Sequence, residues 1–282
     1  MNKMLLILLM FLFCFPVQGY DKFQKFTRKY YIKYTADTRS RTISVGLNLV
    51  ELKKYKSIQP DSLIYNQIMS YSEDEPFGDS HGRSTNAHET VHGINNKLRN
   101  RYKIILKKNV NGFYAGEGHG IIVENPPITI RDIIPYIPNV VRGYRFQLYF
   151  YEQLGAWNDV PTYPMDEWTS YIAGAETAVD DHKNKIDTEK ADSVSGSLEF
   201  SIYCTALAMA VKDKCPDFWE NNKQFRYAIK YFLIKSERVF FDGNELFPSS
   251  KQENLLLMLR EHEHTAPMRK FLLEEFEGIF VD

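Results

Sequence analysis

The chain has 282 residues, with 35 basic and 36 acidic side chains and a formal net charge of -1. That near-neutral balance excludes the strongly basic surface a nucleic-acid partner requires. Hydrophobic residues make up 44% and aromatic residues 14%, enough to bury a sizeable core in one large domain.

Met1-Asn2-Lys3 carries one positive charge and is followed by an apolar run from Met4 to Phe15, then Pro16-Val17-Gln18-Gly19. This is the pattern of a secretory signal peptide over residues 1–19, with Val17 and Gly19 at the small-residue positions before cleavage. The run is shorter than the ~20 residues that span a bilayer. A lipoprotein reading through Cys14 meets Phe13 where a small residue belongs. The mature chain is expected to begin at Tyr20, to be secreted or periplasmic, and to make no stable membrane insertion, since no later apolar stretch reads as a span. Cys204 and Cys215 remain after cleavage. On one continuous helix they would lie ~16 Å apart, so a disulfide needs a helix break near residues 212–216. Buried free thiols are the alternative.

From Lys29 to Tyr34 and from Thr42 to Val50 the pattern is strand-like, with a polar turn over 36–41; the second run alternates with period two. Residues 61–70 form a short helix candidate, and 72–83 a polar loop. Next comes Ala87-His88-Glu89-Thr90-Val91-His92 in a helical pattern, with Ala87, Val91, Ile94 and Leu98 as an apolar stripe. Ser84, Thr85 and Asn86 offer N-caps, and Asn86 with Glu89 has capping-box spacing. Tyr102–Leu106 reads as a strand. Gly112–Ala115 and Gly120–Glu124 read as a hairpin around a Gly116-Glu117-Gly118-His119 tip, closed by Pro126 and Pro127. Helical territory opens at Thr129. Helices are expected over 139–154, 164–182, 195–212, 217–241 and 251–276, the last broken by Pro267. The fold class is therefore α+β: N-terminal strands and hairpins, then a mainly helical half. Residues 20–282 are read as one domain, with a strand-rich part over 20–125 that carries the motif helix and a mainly helical part over 126–282.

His88 and His92 stand one helical turn apart on the same face, so both imidazoles can reach a single ion. Glu89 is turned ~100° from His88 and can reach a water beside the ion without being a ligand. The His-Glu-x-x-His residues resemble the active-site helix of the zincin metallopeptidases, which implies a zincin-like metallopeptidase domain holding Zn2+. The metzincin version needs a glycine and a third histidine three and six residues after the second histidine, but those positions are Asn95 and Leu98. The gluzincin version takes a glutamate from a later helix, and Tyr163–Gly174 resembles such a ligand helix. There Trp168, Tyr171, Ile172, Ala175 and Val179 form the buried stripe. Glu167 lies on one edge of it and Glu176 on the other, while Asp166 points away. Periodicity leaves Glu167 and Glu176 both open, with His119, His182 or an aspartate behind them; the resemblance favours Glu167.

The resemblance implies that His88, His92 and Glu167 hold zinc, that Glu89 is the general base, and that a peptide or protein is the substrate. Tyr163, four residues before Glu167, is expected to stabilise the developing oxyanion, ahead of Tyr171 and His119. Two other readings remain: a zincin-fold binding protein without turnover, and a zinc hydrolase of a non-peptide amide. Glu261-His262-Glu263-His264 resembles a metal tract, but alternate helical residues face different ways, so a solvated helix end is expected.

Overall fold

A computed structural model describes residues 25–57, 63–73, 82–186 and 192–282; the expected signal peptide lies outside them. The first two strands are β1 (Lys25–Ala36) and β2 (Arg39–Glu51). They pair antiparallel from Lys25↔Val50 to Ala36↔Arg39. Asp37 and Thr38 make the turn, both with positive φ, the two-residue loop whose twist matches that of its strands. Helices α1 (Ile64–Ser70) and α2 (Arg83–Leu106) follow, then β3 (Val110–Gly116) and β4 (His119–Glu124). The sheet is antiparallel throughout, in the order β1-β2-β4-β3. The expected second hairpin is present, and Glu117 and Gly118 form its tip, again at positive φ.

Several expectations are corrected. Residues 102–106 are the last turns of α2, not a strand: Tyr102 is buried with Leu98 in the helical stripe, whereas Ile104 is 70% exposed. The apolar letters there mimic a strand although only one face is covered. The same helix starts at Arg83 after Gly82, with no side-chain cap, so Asn86 and Glu89 lie inside it and form no capping box.

The single helix expected over 139–154 is a chain of short turns. It comprises a 3-10 turn (Asn139–Val141), α4 (Tyr144–Gln147) after Gly143, and a π-helical turn (Leu148–Glu152); α3 (Ile130–Ile133) precedes them and α5 (Leu154–Trp157) follows. Beyond these lie α6 (Tyr163–Lys183), α7 (Asp192–Lys214), α8 (Pro216–Asn221), α9 (Lys223–Leu246), α10 (Ser250–Glu261) and α11 (Ala266–Phe276). Asn222 separates α8 from α9, its side chain accepting from Phe225 N at the start of α9. On length and composition α7 could cross a membrane, contrary to the sequence reading, but 94% of its apolar window is buried inside the protein. It is the central helix of the core. Cys204 on α7 and Cys215 after it are both free thiols.

One face of the sheet (Val45, Leu47, Phe113 and Ile121 among others) joins the main core with α6, α7 and α9. On the other face α2 packs against β3 and β4 through Leu98, Tyr114 and Val50. Two glycines permit this contact. A β-carbon on Gly112 would lie 2.5 Å from Leu98 Cβ, and one on Gly120 would lie 2.8 Å from Leu98 Cδ1. Their missing side chains let α2 settle onto the strands, which fixes the height and rotation of the helix that carries His88 and His92.

Candidate metal centre

Helix α6 crosses α2 at the histidines. His88 Nε2 and His92 Nε2 are 3.1 Å apart. Glu167 Oε2 is 3.8 Å from the first and 3.5 Å from the second. Ligands ~2.1 Å from a tetrahedrally bound ion lie ~3.4 Å from one another, so three donor atoms already stand near the corners of such a site. Glu167 Oε2 is also buried without a hydrogen-bond partner, an expensive condition for a carboxylate oxygen that a cation would relieve. His88, His92 and Glu167 thus form a group that can hold a metal ion.

Electrostatics lead to the same place. Burial, then the positive His92 and Arg145, push His88 down to about 3. Burial pulls His92 down too, but the hydrogen-bonded Asp166 and the adjacent Glu167 carboxylate outweigh it and raise His92 to about 10. At neutral pH the ion-free site therefore holds His92 as the imidazolium beside a neutral His88. A single positive charge sits where a cation would.

The outer contacts hold this geometry. His92 Nδ1 lies 3.2 Å from Asp166 Oδ1, an arrangement that orients the ring and presents Nε2 to the cluster. Asn95 Nδ2 donates to Asp166 Oδ1 at 2.6 Å and to Thr169 Oγ1 at 2.9 Å, while its Oδ1 accepts from Tyr114 N at 2.7 Å. Arg99 adds an ion pair to Asp166 at 3.8 Å. The expectation that Asp166 points away from the site is overturned. Helix α6 is buried on nearly all sides, so a single stripe cannot say which carboxylate faces which neighbour.

Tyr163 is stacked on Trp157, with ring centroids 4.4 Å apart, and its hydroxyl donates to Glu167 Oε1 at 2.8 Å and also touches Gln153. It sits behind the carboxylate. Tyr171 presents its ring edge-on to His88, with centroids 4.5 Å apart, and its hydroxyl is 3.3 Å from that of Tyr149. Arg145 lies over the Tyr171 ring at 4.8 Å and pairs with Glu199 at 2.7 Å and with Asp192. Glu89 is half-buried beside His88 on α2.

The other ligand candidates stand elsewhere. Glu176 pairs with Lys235 at 3.0 Å, His119 opens β4 opposite Glu51, and the His182 ring packs on Phe247. His262 and His264 meet edge-on just after α10, their ring centroids 5.1 Å apart. Sequence reasoning missed Asp166, Asn95, Tyr149 and Arg145 as neighbours of the cluster. Asn95 had a usable signal: it is three residues after His92, a polar residue beside the apolar stripe, and it is wholly buried. No local pattern marks Arg145, whose partners come from α7.

No family model, curated protein or solved structure matches this chain.

Proposed function

We propose that the chain is a zinc-dependent metallopeptidase of gluzincin-like type, its zincin-like domain exported and acting on peptide or protein substrates. The observation that supports this reading most is the buried, unpartnered Oε2 of Glu167 facing both imidazole Nε2 atoms of a His-Glu-x-x-His helix. Zinc has the affinity for imidazole and carboxylate that this donor set requires. When bound, it supplies a Lewis acid that polarises a carbonyl and makes water a nucleophile near neutral pH.

The chain's own residues supply the rest. Glu89 takes the proton of the attacking water and delivers it to the departing amine nitrogen, leaving a carboxylic acid and an amine as products. Asp166, through His92 Nδ1, and Tyr163, through Glu167 Oε1, hold two of the three ligands in alignment. Tyr163 thereby becomes a positioning residue. The hydroxyl assigned to the developing oxyanion is that of Tyr171, which adjoins His88 and lies beneath Arg145.

The experiment is metal content and peptide-library hydrolysis of the purified chain. One zinc per chain, lost in Glu167→Ala and retained in Glu176→Ala, with hydrolysis abolished in Glu89→Gln, is the expected result. A wild-type protein that takes up no zinc in metal-replete buffer, or hydrolysis that survives Glu89→Gln, overturns the reading.

A further inference from the structure

A second candidate site lies at the far end of α6. Glu176, nine residues after Glu167, is ~13 Å along the helix axis from it. There a cavity of about 460 Å³ opens between the end of edge strand β3, α1, α6 and α9, a volume suited to a small organic ligand. Ile32, Ile64, Val179, Ile234 and Val239 give it apolar walls.

The charged groups that line it are almost all engaged. Glu176 pairs with Lys235 at 3.0 Å, and Asp242 with Lys183 at 3.0 Å. Glu117 faces Arg28 at 3.8 Å. Asp180 accepts from Ile64 N at 2.8 Å and from Asn184 Nδ2 at 3.1 Å. Lys235 also donates to the Ala115 carbonyl on β3, as does the Tyr231 hydroxyl.

Among the remaining donors of the lining, two stand out. Tyr114 lines the cavity and is only 6% exposed, yet its hydroxyl bonds no described residue. A buried phenol normally finds an acceptor. Arg238 stands at the rim with no ion pair to a described residue. Each acid of the lining has a partner, Asp180 through neutral donors alone, while Arg238 has no ion pair and the Tyr114 hydroxyl no hydrogen bond to a described residue. The complementary ligand is an acceptor-rich anion with an apolar body.

We propose that this cavity binds a small carboxylate bearing an apolar side group, its carboxylate on the Arg238 guanidinium and the Tyr114 hydroxyl and its hydrocarbon part against the isoleucines and valines. Arginine and a phenol together suit a carboxylate through charge-assisted hydrogen bonds. The site does not depend on the metal centre.

The test is calorimetric titration of the full chain with 3-phenylpropionate and with 2-phenylethylamine, a cation of the same shape. The carboxylate is expected to bind and the amine not. Tyr114→Phe and Arg238→Gln are each expected to weaken binding about tenfold, as loss of a hydrogen bond to a charged group does. Because a carboxylate could also bind at a metal, Glu167→Ala is the control, and it is expected to leave the affinity unchanged. Absence of binding, equal binding of the amine, indifference to both cavity variants, or loss of binding in Glu167→Ala would each overturn the proposal.

Discussion

Asp166→Asn tests whether the metal centre is held from behind as the geometry implies. The replacement keeps the shape of the side chain and an oxygen 3.2 Å from His92 Nδ1, but removes the charge. Asn95 keeps its acceptor, while Arg99 loses its ion-pair partner. Loss of such an outer partner typically costs tenfold to a hundredfold in metal affinity, which is ~1.4–2.7 kcal/mol. The asparagine should fall near the lower figure, because one hydrogen bond survives. Asp166→Ala should fall near the upper, because it removes the partner of His92 Nδ1 altogether and takes one of its two acceptors from the buried Asn95 amide. Competition between the protein and a chromogenic zinc chelator at pH 7.5 reads the affinity directly. Thermal unfolding of the metal-free variants shows that each is folded. Zinc affinities within twofold of wild type for both variants would refute the reasoning, since Asp166 would then be a packing residue that merely touches His92.

Glu89→Gln should retain the zinc of the wild type and lose ~10²–10⁴-fold in peptide hydrolysis, the range of a general base; zinc analysis and a fluorogenic peptide assay check both parts. Tyr171→Phe should also keep its metal and lower kcat by about a hundredfold or more with KM little changed, measured by steady-state kinetics. Zinc binding near pH 7.5 should release about one proton, because His92 is held up at about 10 in the ion-free protein. Affinity should then rise with pH and the release fade as pH approaches that value, which calorimetry in buffers of different ionisation enthalpy reveals. Gly112→Ala should destabilise the fold by ~1–3 kcal/mol, since its β-carbon would lie 2.5 Å from Leu98 Cβ; the urea midpoint reads the loss.

Much of this was legible because some signals are local. The spacing of His88 and His92 depends only on helical pitch, and the stripe from Ala87 to Leu98 is buried as expected. Both hairpins followed from alternation and turn chemistry. Other features depend on what lies across a gap. Helix α6 is surrounded by α2, α7, α9 and β3, so hydrophobic periodicity could not separate the roles of Asp166, Glu167 and Glu176. Glu176 differs from Glu167 only in its neighbour, Lys235 on α9, 59 residues away. The broken helices of 139–157 were hidden for a related reason: their aromatic residues pack on α7, where Phe150 and Tyr149 meet Tyr203 and Phe200. Tertiary packing there overrides helical continuity.

The same dependence explains why the sheet belongs to the candidate metal centre although it contributes no residue to the cluster of His88, His92 and Glu167. Asn95 is bound at once to the backbone of β3 through Tyr114 N, to Asp166 and to Thr169. Rotation of α2 about its axis would break the β3 bond, and sliding of α6 would break the other two. Gly112 and Gly120 bring Leu98 against the strands one turn further along the same helix face. The two contacts together leave α2 little freedom of rotation or height, and therefore hold His88 and His92 in register with Glu167. A helix with the same five-residue motif but without a partner strand would present two histidines one turn apart and nothing to keep the third ligand opposite them. The sheet edge thus supplies what the motif alone cannot: a fixed distance between α2 and α6.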